Sequence, residues 1–236
     1  MSLDNEFMRQ IEPLYALEMG AETMGPLLYT LIRFARPQRV LEVGAGYTTP
    51  FILKALADVH ATHRQEVAAR QHAPQPHLVS SYYEKPHEPR LLCLDNNSHP
   101  DSTASKVVEL ARTLGLSNYL EIHYENFEGY TRKMDPSWRP FDFVWFDCGG
   151  LLQYALFLNE YWEFVNKNGG LLLLHSTLTN MSVNLLVKSL KLNQATKDFH
   201  NFELLSLLEP HKRNQNSVTM IRMLSGYNDM YYSVEP

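Results

Sequence analysis

Residues Val40-Leu41-Glu42-Val43-Gly44-Ala45-Gly46-Tyr47-Thr48-Thr49, VLEVGAGYTT, decide the fold. Apolar residues run up to an acid, two glycines follow at alternate positions, and two threonines close the stretch. A short apolar run bounded by glycine reads as a buried strand, here RVLEV (39–43). The helix PFILKALA (50–57) follows, with Pro50 in its first turn and Thr48 or Thr49 as cap. In an open parallel sheet, ligands bind beyond the carboxyl ends of the strands, where the strand order reverses. Glycines at 44 and 46 lack a Cβ, so a ligand can touch the backbone of this turn.

Outward from that stretch, strands and helices alternate. RLLCLD (90–95), YLEIHY (119–124), FDFVWFD (141–147) and GGLLLLH (169–175) read as strands. The helices are STASKVVELARTLG (102–115), a short EGYTRKM (128–134), LLQYALFLNEYWEFV (151–165) and MSVNLLVKSLKL (181–192). FELLSLL (202–208) and SVTMIRML (217–224) end the series as a hairpin. Five β-then-α units followed by two strands imply a largely parallel sheet covered by helices on both faces, with the last strand antiparallel. Ahead of it, residues 3–35 read as a helical extension in two pieces, broken near Gly20 and Pro26. Phe7, Met8, Ile11, Leu14 and Tyr15 share one face of its first piece.

The chain of 236 residues fits one α/β domain, 1–236, with a helical cap over 1–36 and an insertion over 59–89. The insertion holds five of the ten histidines, four prolines and no glycine, and its core periodicity is weak. A formal net charge of -5 argues against a nucleic-acid partner, which would call for a basic patch. No apolar run approaches the roughly 18 residues of a membrane span, and the N-terminus lacks the hydrophobic core of a secretory signal. Cys93 and Cys148 both follow strand-like runs and read as reduced core or site residues. The expected location is the cytoplasm.

A dinucleotide site wants G-x-G-x-x-G and an acid about 20 residues on. Here Thr49 stands in the third glycine's place, and the next strand-end acid, Asp95, comes far later. The other strand ends suit a different ligand. Glu42 can meet a cationic amino group, directly or through water. Asp95 can accept both hydroxyls of a ribose, the Asn126 amide can read an adenine edge, and Asp147 closes the fourth strand. A zwitterionic tail, a ribose and an adenine would satisfy this set.

With LEVGAGYTT, LDNN, HYENF, FDFVWFDCGG and NGGLLLLHS, the chain resembles the class I S-adenosylmethionine-dependent methyltransferases over about residues 20–224. Its lead-in, ETMGPLLYTLIRFARPQRVLEVGAG, is similar to the small-molecule O-methyltransferase branch of the catechol and caffeoyl type. The resemblance implies a Rossmann-like seven-stranded sheet of order 3-2-1-4-5-7-6 with strand 7 antiparallel. It implies S-adenosylmethionine as cofactor and S-adenosylhomocysteine as product. The cofactor contacts would be Glu42, Gly44, Ala45, Gly46, Tyr47, Thr48, Asp95, Asn96, Asn126, Phe127 and Asp147. Metal-dependent members of that branch carry an Asp-Asn pair after the fifth strand. Here His175-Ser176 stands in that place, so the expectation is a metal-independent enzyme.

His175, at the carboxyl end of a central strand and with a near-neutral reference pKa, is the first catalytic candidate. Asp147 is the second; each also has a structural reading, His175 as a hydrogen-bonding group and Asp147 as a helix cap. Tyr47 either packs on the cofactor or covers the turn. Tyr15, Met19, Met24, Cys148 and Ser176 are the expected substrate contacts, and the first three suggest an apolar or aromatic small-molecule acceptor unless they are plain core. In the insertion, Leu78, Val79, Tyr82 and Tyr83 suggest an assembly contact between copies, as in a homodimer, or else a disordered loop. Two other readings stay open: a non-methyl transferase or cyclase on the same fold, and a non-catalytic S-adenosylmethionine-binding module.

Overall fold

The strands are apolar and covered on both faces at the centre of the sheet, and partly exposed at its two edges. In the computed structural model, which describes residues 3–16, 19–72, 80–193 and 202–224, they are β1 (Arg39–Val43), β2 (Arg90–Leu94), β3 (Leu120–His123), β4 (Phe143–Phe146), β5 (Leu171–His175), β6 (Phe202–Leu208) and β7 (Ser217–Met223). Their order is β3-β2-β1-β4-β5-β7-β6, in one sheet. All neighbours from β3 to β5 are parallel, and β7 runs antiparallel to both β5 and β6. The order expected from the resemblance is the order found. It reverses between β1 and β4, which places the crevice at the end of VLEV.

Side chains alternate between two cores, as the pleat requires. Leu41, Val43, Leu92, Leu94, Val144 and Phe146 face α5 (Leu151–Tyr161) and α6 (Met181–Asn193), where Phe157, Tyr161 and Val183 meet them. Val40, Leu91, Cys93, Phe143 and Trp145 face the other way. They meet α2 (Met24–Ala35), α3 (Thr49–His72) and α4 (Ala104–Thr113) through Leu28, Ile32, Ile52, Leu56 and Val107. The remaining helix, α1 (Asn5–Ile11), docks Phe7 edge-on against Phe51 of α3, with ring centroids 5.4 Å apart.

Three boundaries differ from the sequence reading. Pro26 does not break a helix; it is the third residue of α2, where a missing N–H costs nothing. The helix after the glycine turn does not stop at residue 57 but continues to His72, so the first half of the expected insertion is helix. The expected helix over 128–134 is reduced to a single 3-10 turn, Tyr130–Arg132.

Leu78 and Val79 lie outside the described residues. Tyr82 and Tyr83 are half-buried and pack within the chain. Tyr83 stacks on His63 at 5.2 Å and donates to Glu66 at 3.0 Å, and Tyr82 packs edge-on to His63 at 5.5 Å. A bidentate Arg36–Glu66 pair, 2.6 and 2.8 Å, ties this cluster to the end of α2.

Candidate active site

A cavity of about 680 Å³ lies at the carboxyl ends of β1, β2, β4 and β5, within the roughly 300–1,000 Å³ usual for small-molecule sites. None of the described residues of the 59–89 segment lines it.

The glycine turn forms one wall, but its two glycines do different work. Gly44 has φ +102°, and a Cβ built on it would lie 2.5 Å from the backbone oxygen of Asp147. Gly44 is therefore thin enough to admit the end of β4, and it also lines the cavity. Its N–H donates to the Leu94 carbonyl at 2.9 Å, so it joins three strand ends. Among the described residues, a Cβ on Gly46 would meet only the Thr103 hydroxyl, at 3.3 Å. Gly46 thus has open space at its Cβ position, and it lines the cavity together with Gly44, Ala45, Tyr47 and Thr48.

Glu42 stands behind this turn. It is fully buried and is not part of the cavity wall. Thr48 donates to one carboxylate oxygen at 2.6 Å and the Cys93 thiol to the other at 3.4 Å. Burial drives its carboxyl up to about 7, against the opposing pull of hydrogen bonds from Thr48, Thr49 and Cys93. The expected open face toward an amino group is thus occupied by the turn's own threonine. The threonines do not cap α3 by side chain: the Thr48 hydroxyl goes to Glu42, and the Thr49 hydroxyl accepts from the Gly46 N–H at 3.0 Å.

Asp95 lines the cavity and locks the turn from the β2 side. One carboxylate oxygen accepts from the Ala45 N–H at 2.8 Å, the other from the Asn97 N–H at 2.7 Å. An ionised carboxylate offers about four acceptor sites, so two remain for hydroxyls in the cavity. Asn96 and Asn126 hydrogen-bond to each other on the same wall, beside Phe127. Phe127 is anchored edge-on to Phe146 at 5.4 Å.

At the other end of the cavity, Asp147 and His175 meet across adjacent strands. Asp147 Oδ1 lies 2.7 Å from His175 Nδ1. The cap reading of Asp147 is corrected: α5 starts at Leu151 with Gly150 as its cap residue. His175 is 1% exposed, and its Nε2 has no hydrogen-bond partner among the described residues. Burial disfavours the imidazolium, but the Asp147 carboxylate outweighs burial and the pKa sits above the ordinary histidine value. The nearby Gln215 backbone, outside hydrogen-bond geometry, adds to the rise. Tyr154 donates to the His175 carbonyl and fixes the strand end.

The expected substrate contacts divide. Met19, Cys148 and Ser176 line the cavity. Burial first, and Asp147 next, push the Cys148 thiol up to about 11, which leaves it a wall and not a nucleophile. Met24 is a core residue, 3% exposed and packed with Leu28, because it starts α2 on its inward face. Tyr15 lies outside the cavity: its ring packs edge-on to Tyr47 at 5.4 Å, and the two line a neighbouring surface groove. The sequence reading missed Tyr154, Gln153 and Gln215, and the polar loop Ser98–Thr103 that follows β2. That loop's position directly after a strand end was the available signal; Gln215, on the distant β6–β7 turn, had none. Among the described residues no group of three or more His, Cys, Asp or Glu side chains is arranged to hold a metal ion.

A family model described as a methyltransferase domain matches residues 41–177, more than half of the chain and all of the cavity's strand ends. No curated protein matches. Among solved structures, the chain is similar to the O-methyltransferase TomG of Streptomyces achromogenes, solved with S-adenosylmethionine, at 13% identity and TM-score 0.63, covering 95% of this chain and 92% of that one. It is similar to an O-methyltransferase of Bacillus cereus, solved with S-adenosylhomocysteine, at 13% identity and TM-score 0.60, covering 91% and 90%. An rRNA methylase of Streptococcus thermophilus shares the fold at 12% identity and TM-score 0.53, covering 84% and 95%, so the fold alone does not choose an acceptor. The chain belongs to the methyltransferase-domain family, and its sheet is that of a class I S-adenosylmethionine-dependent methyltransferase.

Proposed function

We propose that this enzyme methylates a small, apolar or aromatic acceptor from S-adenosylmethionine without a metal ion. The observation that carries the reading is the Asp147–His175 pair at the end of the cavity, with Nε2 buried and unpartnered. S-adenosylmethionine supplies an electrophilic methyl group on a sulfonium. The donor set fits that molecule: the Ala45–Thr48 backbone for its amino-acid end, the two free acceptor sites of Asp95 for ribose hydroxyls, and the Asn96–Asn126 amides beside Phe127 for the base.

The protein's tasks are positioning and proton transfer. Met19, Ala21, Cys148 and Ser176, which line the cavity, are the residues that would hold the acceptor. Fixing that geometry supplies most of the acceleration in a displacement of this kind. In this reading His175 Nε2 accepts a proton from the acceptor, while Asp147, 2.7 Å from Nδ1, holds the ring and stabilises the imidazolium that results. His175 stands where a metal-dependent branch carries Asp-Asn, and its Nδ1 is already engaged by Asp147. The net charge of -5 favours a small molecule over nucleic acid as partner. Both cysteines are free thiols, which fits a reducing cytoplasm.

The test is turnover in excess EDTA with a panel of phenols and other hydroxylated aromatics, read as a product heavier by one methyl group. His175→Ala should lower the rate by about 10²–10⁴-fold, the usual span for a lost general base. Turnover that EDTA abolishes and Mg²⁺ restores, or that survives His175→Ala undiminished, would overturn the mechanism.

A further inference from the structure

The cavity's acceptor wall is built from two segments that lie almost two hundred residues apart. One is the lead-in to α2, which supplies Met19 and Ala21; the other is the turn joining β6 to β7, which supplies Gln215. One side chain bridges them. Lys212 Nζ lies 3.1 Å from the Gly20 carbonyl, 3.2 Å from Thr23 Oγ1, 2.8 Å from a Glu22 oxygen and 2.9 Å from a Glu209 oxygen. Thr23 in turn donates to the other Glu209 oxygen. The Lys212 side chain is only 10% exposed. Burial disfavours its charge, but Glu22 and Glu209 outweigh burial and keep the ammonium protonated.

We propose that Lys212 is a positioning residue that pins the β6–β7 turn to the Gly20–Thr23 segment, so that Met19, Ala21 and Gln215 form one fixed wall beside His175. The turn can transmit the pin because it is tied to itself. The Lys212 N–H donates to the Glu209 carbonyl at 3.2 Å, Asn216 Nδ2 donates to the Lys212 carbonyl at 2.9 Å, and the Glu209 N–H donates to the Asn216 carbonyl at 2.6 Å. The far side is tight as well. Gly20 has φ +63°, and a Cβ there would lie 2.6 Å from the Gln215 Cβ, so the Gln215 side chain rests directly on the Gly20 backbone. An ammonium suits this place because its three donors serve the Gly20 carbonyl, the Thr23 hydroxyl and Glu209 while its charge also pairs with Glu22. Gln215, whose side chain rests on Gly20 and which lines the same cavity as His175, then joins the acceptor wall to the catalytic end.

The consequence for turnover rests on the proposed function, but the pin can be read without it. The protein has two cysteines: Cys148 lines this cavity, and Cys93 is fully buried in the core. A neutral disulfide reagent, 4,4′-dithiodipyridine, reports their exposure by thiol exchange. The thiolate attacks the reagent's disulfide, a mixed disulfide forms on the cysteine, and one thiopyridone leaves. Lys212→Met should raise the Cys148 rate by about tenfold or more, the factor that a latch weakened by 1.4 kcal/mol gives. The Cys93 rate and the affinity for S-adenosylhomocysteine should stay near wild type. Lys212→Arg should restore part of the difference. If Lys212→Met does not fold, Glu209→Gln loosens the same pin and is read the same way. Equal acceleration of both cysteines would mean that Lys212 only supports the fold, and no acceleration of Cys148 would mean that the wall stands without it; either overturns the proposal. A wild type that fails to methylate any acceptor would instead count against the proposed function and leave the labelling result standing.

Discussion

Alanine at Gly44 and alanine at Gly46 should produce opposite phenotypes. At Gly44 the new Cβ meets the Asp147 backbone oxygen at 2.5 Å, and the backbone sits at φ +102°. A backbone atom cannot swing aside as a side chain can. Left-handed strain costs about 1–3 kcal/mol and overpacking about 1–3 kcal/mol, so Gly44→Ala should lose roughly 2–6 kcal/mol of stability. With a urea slope of about 2 kcal/mol/M, the midpoint should fall by about 1–3 M with little change in slope. At Gly46 the new Cβ would meet, among the described residues, just the Thr103 hydroxyl at 3.3 Å, which can give by a few tenths of an ångström. Gly46→Ala should therefore melt within about 1 kcal/mol of wild type. It should instead weaken S-adenosylhomocysteine binding by about 1–3 kcal/mol, or about 5- to 150-fold in Kd by calorimetry. Wild-type stability in Gly44→Ala, or wild-type affinity in Gly46→Ala, would refute this division of labour.

Asp95→Ala should weaken S-adenosylhomocysteine by about 1.5–3 kcal/mol, the range for hydrogen bonds to a charged group; unchanged affinity by calorimetry would remove the ribose assignment. Asp147→Asn removes the charge that holds the His175 pKa up, so the ring should titrate at lower pH by NMR, and the acid limb of the rate profile should move the same way. No movement would mean that the 2.7 Å contact does not govern the ring. Glu42 has its carboxyl raised from 4.5 to about 7, so the native state holds a proton that the unfolded chain releases. Its contribution is present below about 4.5 and lost as pH rises through about 7, which makes Glu42→Gln flatten the fall in melting temperature between those values. A fall as steep as in wild type would assign that pH dependence to other groups.

The sheet was legible because its evidence is local. Apolar runs such as RVLEV and LLLLH, each ending at a polar or glycine residue, carry strand identity, and their carboxyl ends carry Asp95, Asp147 and His175 into one crevice. The length of α3 was not legible. Beyond residue 58 the helix has little apolar periodicity, and contacts distant in sequence brace it, Arg36 on Glu66 and Tyr83 on His63. Glu42 and Met24 show a second limit. An acid at a strand end and a methionine in a lead-in helix look the same on paper whether they face a ligand or the core; burial decides, and burial depends on the helices packed above them. Gln215 and Lys212 mark the third. Their roles exist only because the β6–β7 turn returns to the lead-in of α2, a contact between segments with no shared motif.

A crystal structure grown with S-adenosylhomocysteine tests the central claim most directly. The account predicts the ribose hydroxyls on Asp95, the amino-acid end against the Ala45–Thr48 backbone, the base beside Asn96, Asn126 and Phe127, and the sulfur turned toward the Asp147–His175 end. A ligand in the reverse sense, with its base at His175, or an empty cavity at saturating ligand, would contradict it.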